Sequence, residues 1–225
     1  MLRTTLALAA TALVAFSPIA AVARERAEEA PVAAKPTYDQ INYDVTQDLE
    51  NILLLDLSNG QRVAIRLMPQ WAPEHVARIK QLASTGFYDG VIFHRVIDGF
   101  MAQTGDPTGT GQGGSQLPDV KAEFNPMPHV RGTVSMARAA SEDSANSQFF
   151  IVFYPRFSLD KKYTNFGRVI AGMDAVDAIQ RGEPPQNPTR IMQASLASEN
   201  KAPPAMPMPV AAPVTADQLN TPLAN

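Results

Sequence analysis

The 225-residue chain contains no cysteine. That excludes disulfides, thiolate catalysis, zinc-finger chemistry, iron–sulfur ligation and a lipoprotein anchor together. Histidine is nearly as scarce, with three copies at His75, His94 and His129, too few for a histidine-rich metal site. Charge of one sign is lacking as well: 19 Lys plus Arg against 22 Asp plus Glu give a net charge of −3. A chain with no basic excess has no general attraction for a polyanion, so nucleic acid is not an expected partner. Long apolar runs are confined to the first residues. The longest, residues 5–16 (TLALAATALVAF), falls short of the roughly 20 residues needed to span a bilayer.

What is abundant is apolar mass, 45% of the residues, and proline, with 19 copies. The first supports one sizeable core. Residues 1–23 read as a secretory signal: Arg3 opens it, the apolar run follows, and Ala21-Val22-Ala23 supplies the small residues that precede cleavage. The expected mature protein is therefore exported, with no membrane attachment after cleavage. Residues 24–47 mix charge, Ala and Pro without an apolar period and read as a linker. Residues 199–225 are rich in Pro and Ala, a composition that neither continues a helix nor feeds a sheet ladder, so a disordered tail is expected. One domain remains, residues 48–198, of ordinary size.

Strand patterns dominate that domain. Residues 51–57 (NILLLDL) and 62–67 (RVAIRL) flank Ser58-Asn59-Gly60-Gln61, a strong hairpin signal. Val63, Ile65 and Leu67 alternate with Arg62, Ala64 and Arg66 as in a half-buried strand. Further strands are expected at 91–96, 100–104, 133–137, 148–153, 166–170 and 190–196. Pro73, then Val76, Ile79, Leu82 and Ala83, then Gly86 spell a helix with its start and stop. A second, short helix is expected at 173–180, with Gly182 able to cap it. Eight short strands with mostly loop connections predict a mainly β fold, a closed eight-stranded antiparallel β-barrel capped by two α-helices. No βαβ alternation supports a doubly wound sheet.

Several chemistries fail on inspection. Gly109-Thr110-Gly111-Gln112-Gly113-Gly114 matches the dinucleotide fingerprint, but SQLPD follows where a helix must open, so a flexible glycine loop is expected. There is no G-x-S-x-G elbow, and Ser144 and Ser147 fall in a polar stretch. No histidine pair has zincin spacing, and Glu142-Asp143 reads as a solvated acidic patch. No metal and no cofactor is expected.

What remains is one constellation: FHRVIDGFMAQTGD at 93–106, SMARA at 135–139 and NSQFFI at 146–151, followed in order by Leu159-Asp160 and Phe166-Gly167. Taken together these segments resemble the cyclophilin-type peptidyl-prolyl cis-trans isomerases, over about residues 48–196. The resemblance implies an eight-stranded barrel capped by helices, and an enzyme that accelerates rotation about X–Pro bonds. It assigns catalysis to Arg95 and the proline-ring pocket to Phe100, Met101, Phe150 and Leu159, with Tyr163 as a further wall. Gln103, Gln148, Ala137 and Arg138 would hold the peptide main chain, and Gly114 and Ala139 would line the neighbouring subsite. The implied partners are proline-containing, unfolded or partly folded polypeptides. The signal peptide points to a bacterial periplasm, with full secretion as the alternative, and a monomer is expected because nothing in the sequence suggests a dimer. Three departures stand out. Arg138 falls where an asparagine is common, which the site tolerates because the backbone does the work there; it could also bias the groove toward acidic peptides. Ser158 falls where the family often has tryptophan, which puts tight cyclosporin binding in question. Tyr163 falls where a histidine is common.

The chemistry suits the set. The amide barrier of roughly 18–20 kcal/mol is resonance, and no bond needs to break. Twisting localises a lone pair on the prolyl nitrogen, to which a guanidinium can donate only in the twisted state. No nucleophile, base or metal is required. Phe93, Phe149 and Ile151 should face the core by strand alternation, and His94 is expected to be structural. The rival reading is a non-catalytic peptide-binding module on the same barrel; an intact Arg95 beside the Phe100, Met101, Gln103 and Phe150 set favours the enzyme.

Overall fold

The structure is a computed structural model that describes residues 44–205. The expected signal peptide at 1–23, most of the expected linker and the tail beyond residue 205 lie outside the described residues. Eight antiparallel strands form one sheet: β1 (Ile52–Leu57), β2 (Arg62–Leu67), β3 (Arg95–Ile97), β4 (Met101–Thr104), β5 (Thr133–Met136), β6 (Phe149–Val152), β7 (Asn165–Ala171) and β8 (Ile191–Leu196). Two helices, α1 (Pro73–Ser84) and α2 (Met173–Asp177), accompany it. The spatial order is β3-β4-β6-β5-β7-β2-β1-β8.

The β1–β2 hairpin forms where Asn-Gly stands, with a division of labour. Only Gly60 adopts positive φ, at 81°, while the Asn59 side chain accepts from the Gln61 N–H at 3.1 Å. Leu53, Leu55, Leu57, Val63, Ile65 and Leu67 all point inward and are buried. On the other face Arg66 pairs with Asp48. The helix α1 starts at Pro73 without a side-chain cap from its own N-cap residue. Its first N–H groups are instead met from afar: Glu123 accepts from the backbone N–H of Glu74 at 3.2 Å and of His75 at 3.0 Å. A carboxylate is well placed at that positive helix end.

Closure is where expectation and structure part. The sheet curls into an open half-barrel. β3 and β8, the two ends of the strand order, are not paired as strands. Single bridges, Ile92–Arg190 and Val96–Gly182, span the gap. The reason lies in the facing segment, which carries Pro184, Pro185 and Pro188: proline has no N–H to give a ladder. For the same reason β3 is short. Residues 91–94, expected as strand, are held by isolated bonds such as Phe93 N–H to Thr189 O at 2.9 Å. The second helix is also shorter than expected, ending at Asp177, and Gly182 bridges Val96 rather than capping it. At the far end Glu199, expected to open the tail, completes a 3-10 helix and accepts from Ser84 Oγ at 2.6 Å.

Candidate active site

The ladders place the chemistry before any side chain is considered. Arg95 on β3 is directly opposite Gln103 on β4, Gln103 is opposite Phe150 on β6, and Phe150 is opposite Ser135 on β5. Residues directly opposite share a face, so these four form one row across four strands. Two residues along, Ile97, Met101 and Val152 form a second row on that face. The alternating residues Val96, Ala102, Ile151 and Val134 turn the other way into the main core, as do Phe93 and Phe149.

The outward rows make a small apolar cluster of their own. Met101, Phe150 and Val152 are its buried floor, and Ile97, Phe100, Ala137, Leu159 and Tyr163 rim it. Tyr163 stands edge-on to Phe150, with ring centroids 5.7 Å apart. The Arg138 guanidinium lies 5.0 Å from the centre of the Tyr163 ring. It donates through Nε to Lys162 O and through Nη1 to Ala139 O and Ala140 O. Its charge is thus spent on local carbonyls as well as on the groove.

Beside this cluster runs a polar cleft of about 470 Å³, lined by Gln103, Gly114, Ala137, Arg138, Ala139 and Gln148 among others. Gln103 Nε2 donates to Gln148 Oε1 at 2.9 Å, and Gln148 Nε2 donates to Gly113 O at 2.8 Å. The two amides brace the cleft floor as a chain. Gly114 has no room for a side chain without disturbing Asn146, whose Oδ1 would lie 3.2 Å from an added Cβ. Every substrate-site residue expected from sequence therefore falls in the apolar cluster or the polar cleft, with Ala137 in both. Arg95 shares their face. Ser158 lines a separate cavity of about 240 Å³ with Ile97, Asp98, Phe100, Arg156 and Leu159.

The glycine loop has a structural task. Asp106, 1% exposed, accepts from the backbone N–H of Thr108 at 2.8 Å and of Gly111 at 2.6 Å. Burial alone would raise its pKa, but the Thr108 hydroxyl, which donates at 2.7 Å, together with these backbone bonds outweighs it and holds the pKa at about 2. The amide groups that could have cradled a phosphate are turned onto a carboxylate of the chain itself. No helix follows them.

Sequence reasoning missed a hydrogen-bonded Ser135–His129–Asp160 series behind Phe150. His129 Nδ1 is 2.8 Å from Asp160 Oδ1, and Ser135 Oγ is 2.8 Å from His129 Nε2. Burial lowers the His129 pKa, against the pull of Asp160, so the ring is neutral at pH 7. Its Nδ1–H then donates to the carboxylate and its Nε2 accepts from the serine. The arrangement resembles a hydrolytic triad, yet Ser135 and His129 are both 0% exposed and no substrate reaches them. What it does is anchor. Asp160 follows the 3-10 helix Phe157–Leu159, and its bond to His129 fixes the stretch bearing Leu159 and Tyr163. The His129 ring also stacks on Phe150 at 6.4 Å. The three residues are scattered along the chain; Ser135 and Asp160 fall in segments that carry the resemblance, but nothing local joins them to His129. Ser147, expected in a polar loop, is fully buried, donating to Gly105 O at 2.7 Å.

Comparison with known proteins decides the family. The model for "Cyclophilin type peptidyl-prolyl cis-trans isomerase/CLD" matches residues 53–196. The chain belongs to the cyclophilin-type isomerase family. A probable peptidyl-prolyl cis-trans isomerase of Brucella suis is 47% identical over 170 residues, covering 68% of this chain and 86% of that protein. Peptidyl-prolyl cis-trans isomerase B of Bacillus subtilis is 42% identical over 128 residues, 56% of this chain and 89% of that one. Among solved structures, cyclophilin AquaCyp293 from Hirschia baltica superposes with a TM-score of 0.62 at 30% identity, over 73% of this chain and 83% of its own. A Cryptosporidium parvum cyclophilin, crystallised in the presence of the dipeptide Ala-Pro, gives a TM-score of 0.60 at 28% identity, over 64% of this chain and 98% of its own. This cyclophilin is a peptidyl-prolyl cis-trans isomerase, which sets aside the reading as a non-catalytic binding module.

Proposed function

We propose that this isomerase is exported and turns over X–Pro bonds in unfolded or partly folded proteins of a bacterial periplasm, with Arg95 as its catalytic residue. The proline ring enters the Met101–Phe150–Val152 pocket, walled by Phe100, Leu159 and Tyr163. The peptide main chain lies along Gln103, Gln148, Ala137 and Arg138, and the residues before proline reach Gly114 and Ala139. With ring and chain both held, rotation is confined to one bond. The Arg95 guanidinium donates to the prolyl nitrogen as its lone pair localises, an interaction stronger in the twisted state than in either planar one.

The observation that carries this reading is the row Arg95–Gln103–Phe150. It sets a cation, an amide and an aromatic floor side by side where the apolar cluster meets the polar cleft. Export rests on residues 1–23, whose charged start, short apolar run and Ala21-Val22-Ala23 end fit a cleavable signal.

Two measurements test the proposal. The protein lacking residues 1–23 should accelerate cis-to-trans conversion of an Ala-Pro-Phe peptide and shorten the proline-limited refolding phase of an unfolded protein. No acceleration of either would overturn the substrate reading. Expressed from its full gene in a Gram-negative host, the protein should appear in the periplasmic fraction with Arg24 as its first residue. An intact N-terminus in the cytoplasmic fraction would sink the export claim.

A further inference from the structure

Arg95 is not left to wander. Its Nε donates to Glu183 Oε2 at 2.8 Å, a residue 88 positions further on and outside every segment that carries the family resemblance. Its placement is set by backbone. Val96 and Gly182 bridge antiparallel, with Val96 N–H to Gly182 O at 2.8 Å and Gly182 N–H to Val96 O at 2.9 Å. The residue before Val96 therefore faces the residue after Gly182, which sets Arg95 against Glu183 as a cross-strand pair. Gly182 is required there. Its φ is +143°, and a Cβ would come within 2.6 Å of Pro185 Cα. A tight bridge, followed by two prolines, gives Glu183 a fixed base from which to hold the arginine.

We infer that Glu183 is the positioning residue for Arg95, holding the guanidinium by its Nε so that its Nη groups stay aimed at the substrate. Arginine presents five N–H donors in a rigid planar fork. An acceptor on Nε restricts the side-chain torsions and leaves the four Nη hydrogens available. A side chain with so much rotamer freedom would otherwise have to be ordered during each turnover. The pair is exposed, 42% for Arg95 and 52% for Glu183, so salt should screen it and its effect should be modest. The inference rests on the proposed role of Arg95.

The test is a double-mutant cycle on an uncharged Ala-Pro peptide, comparing the wild type with Glu183→Ala, Arg95→Ala and the double variant. Glu183→Ala should lower kcat/KM two- to fivefold through kcat, with KM and the melting temperature unchanged. In the Arg95→Ala background it should change nothing. Glu183→Gln keeps an acceptor and should recover most of the loss. The Arg95 Nε–H proton resonance should show slow exchange in the wild type and in Glu183→Gln, and lose it in Glu183→Ala. Raising salt to 1 M should bring the wild type toward Glu183→Gln while leaving Glu183→Ala unmoved. Unchanged or increased kcat in Glu183→Ala overturns the inference, the increase showing an anion that competes with substrate. An equal loss in both arginine backgrounds overturns it too, as a merely structural effect. An active wild type whose Arg95→Ala variant is equally active would instead refute the catalytic role itself.

Discussion

Phe150 stands at a crossing of three demands. It is opposite Gln103 and Ser135 on the two neighbouring strands, it meets the Tyr163 edge, and it rests on the neutral His129 ring. A residue so placed both floors the pocket and packs the sheet. Phe150→Ala should therefore raise KM for proline peptides and lower stability by about 3–5 kcal/mol, read from peptide kinetics and urea unfolding. A rise in KM without loss of stability would show that the ring contributes only to the pocket. His129→Ala probes the layer behind. It strands Ser135 Oγ and leaves Asp160 only the backbone N–H of residue 129, and should loosen Leu159 and Tyr163, giving raised KM with Arg95 untouched. Normal KM in a folded variant would contradict the anchoring role.

At the scale of elements, the loop between β4 and β5 holds the cleft by glycine geometry. Gly113 admits no side chain, because an added Cβ would lie 2.1 Å from Asp106 Oδ1. Gly113→Ala should push the loop outward and break the Gln148 Nε2 bond to Gly113 O. The expected result is a severalfold rise in KM for peptides extended ahead of proline, with little change for a minimal Ala-Pro substrate. Equal effects on both would place the damage in the proline pocket instead. Elements also show what a sequence can and cannot disclose. Strands β1, β2 and β4–β8 were legible because apolar alternation and turn residues are local. Period two puts Phe149 and Phe150 on opposite faces; that the Phe150 face is the pocket side is what the family resemblance implies. The open gap at β3 was not legible from strand counting, although the three prolines responsible are in plain view. Strand patterns say which segments pair well, and closure depends on which two segments meet. Glu183 and the Ser135–His129–Asp160 series were hidden for the same reason: each joins residues brought together only by the folded sheet.

At the scale of the molecule, all three histidines are buried and all have pKa values lowered, in each case first by loss of hydration. An unfolded histidine titrates near 6.5. Below that pH the unfolded chain binds protons that the folded chain refuses, so stability falls as pH drops and is fully present above it. The melting temperature should be level from pH 8 to about 7 and decline from about 6.5 toward 5. A level or rising profile there would contradict the burial of neutral rings. Asp106 acts lower on the scale: with a folded pKa of about 2 against about 3.9 unfolded, its contribution is present above the latter. It is lost as pH falls toward 2, so a second acid limb is expected, and Asp106→Asn should make it shallower, with Glu199, whose pKa is also lowered, contributing to what remains.

The central claim is that a single guanidinium, in a site with no bond to break, lowers the barrier to rotation. The most direct test compares cis-to-trans rates of an Ala-Pro-Phe peptide for the wild type, Arg95→Ala and Arg95→Lys. Arg95→Ala should lose at least tenfold in kcat/KM, about 1.4 kcal/mol of transition-state stabilisation. Arg95→Lys keeps the charge but not the fork, and should recover only part of that loss. If Arg95→Ala, folded and binding peptide normally, retains the wild-type rate, the lone-pair mechanism is wrong for this protein.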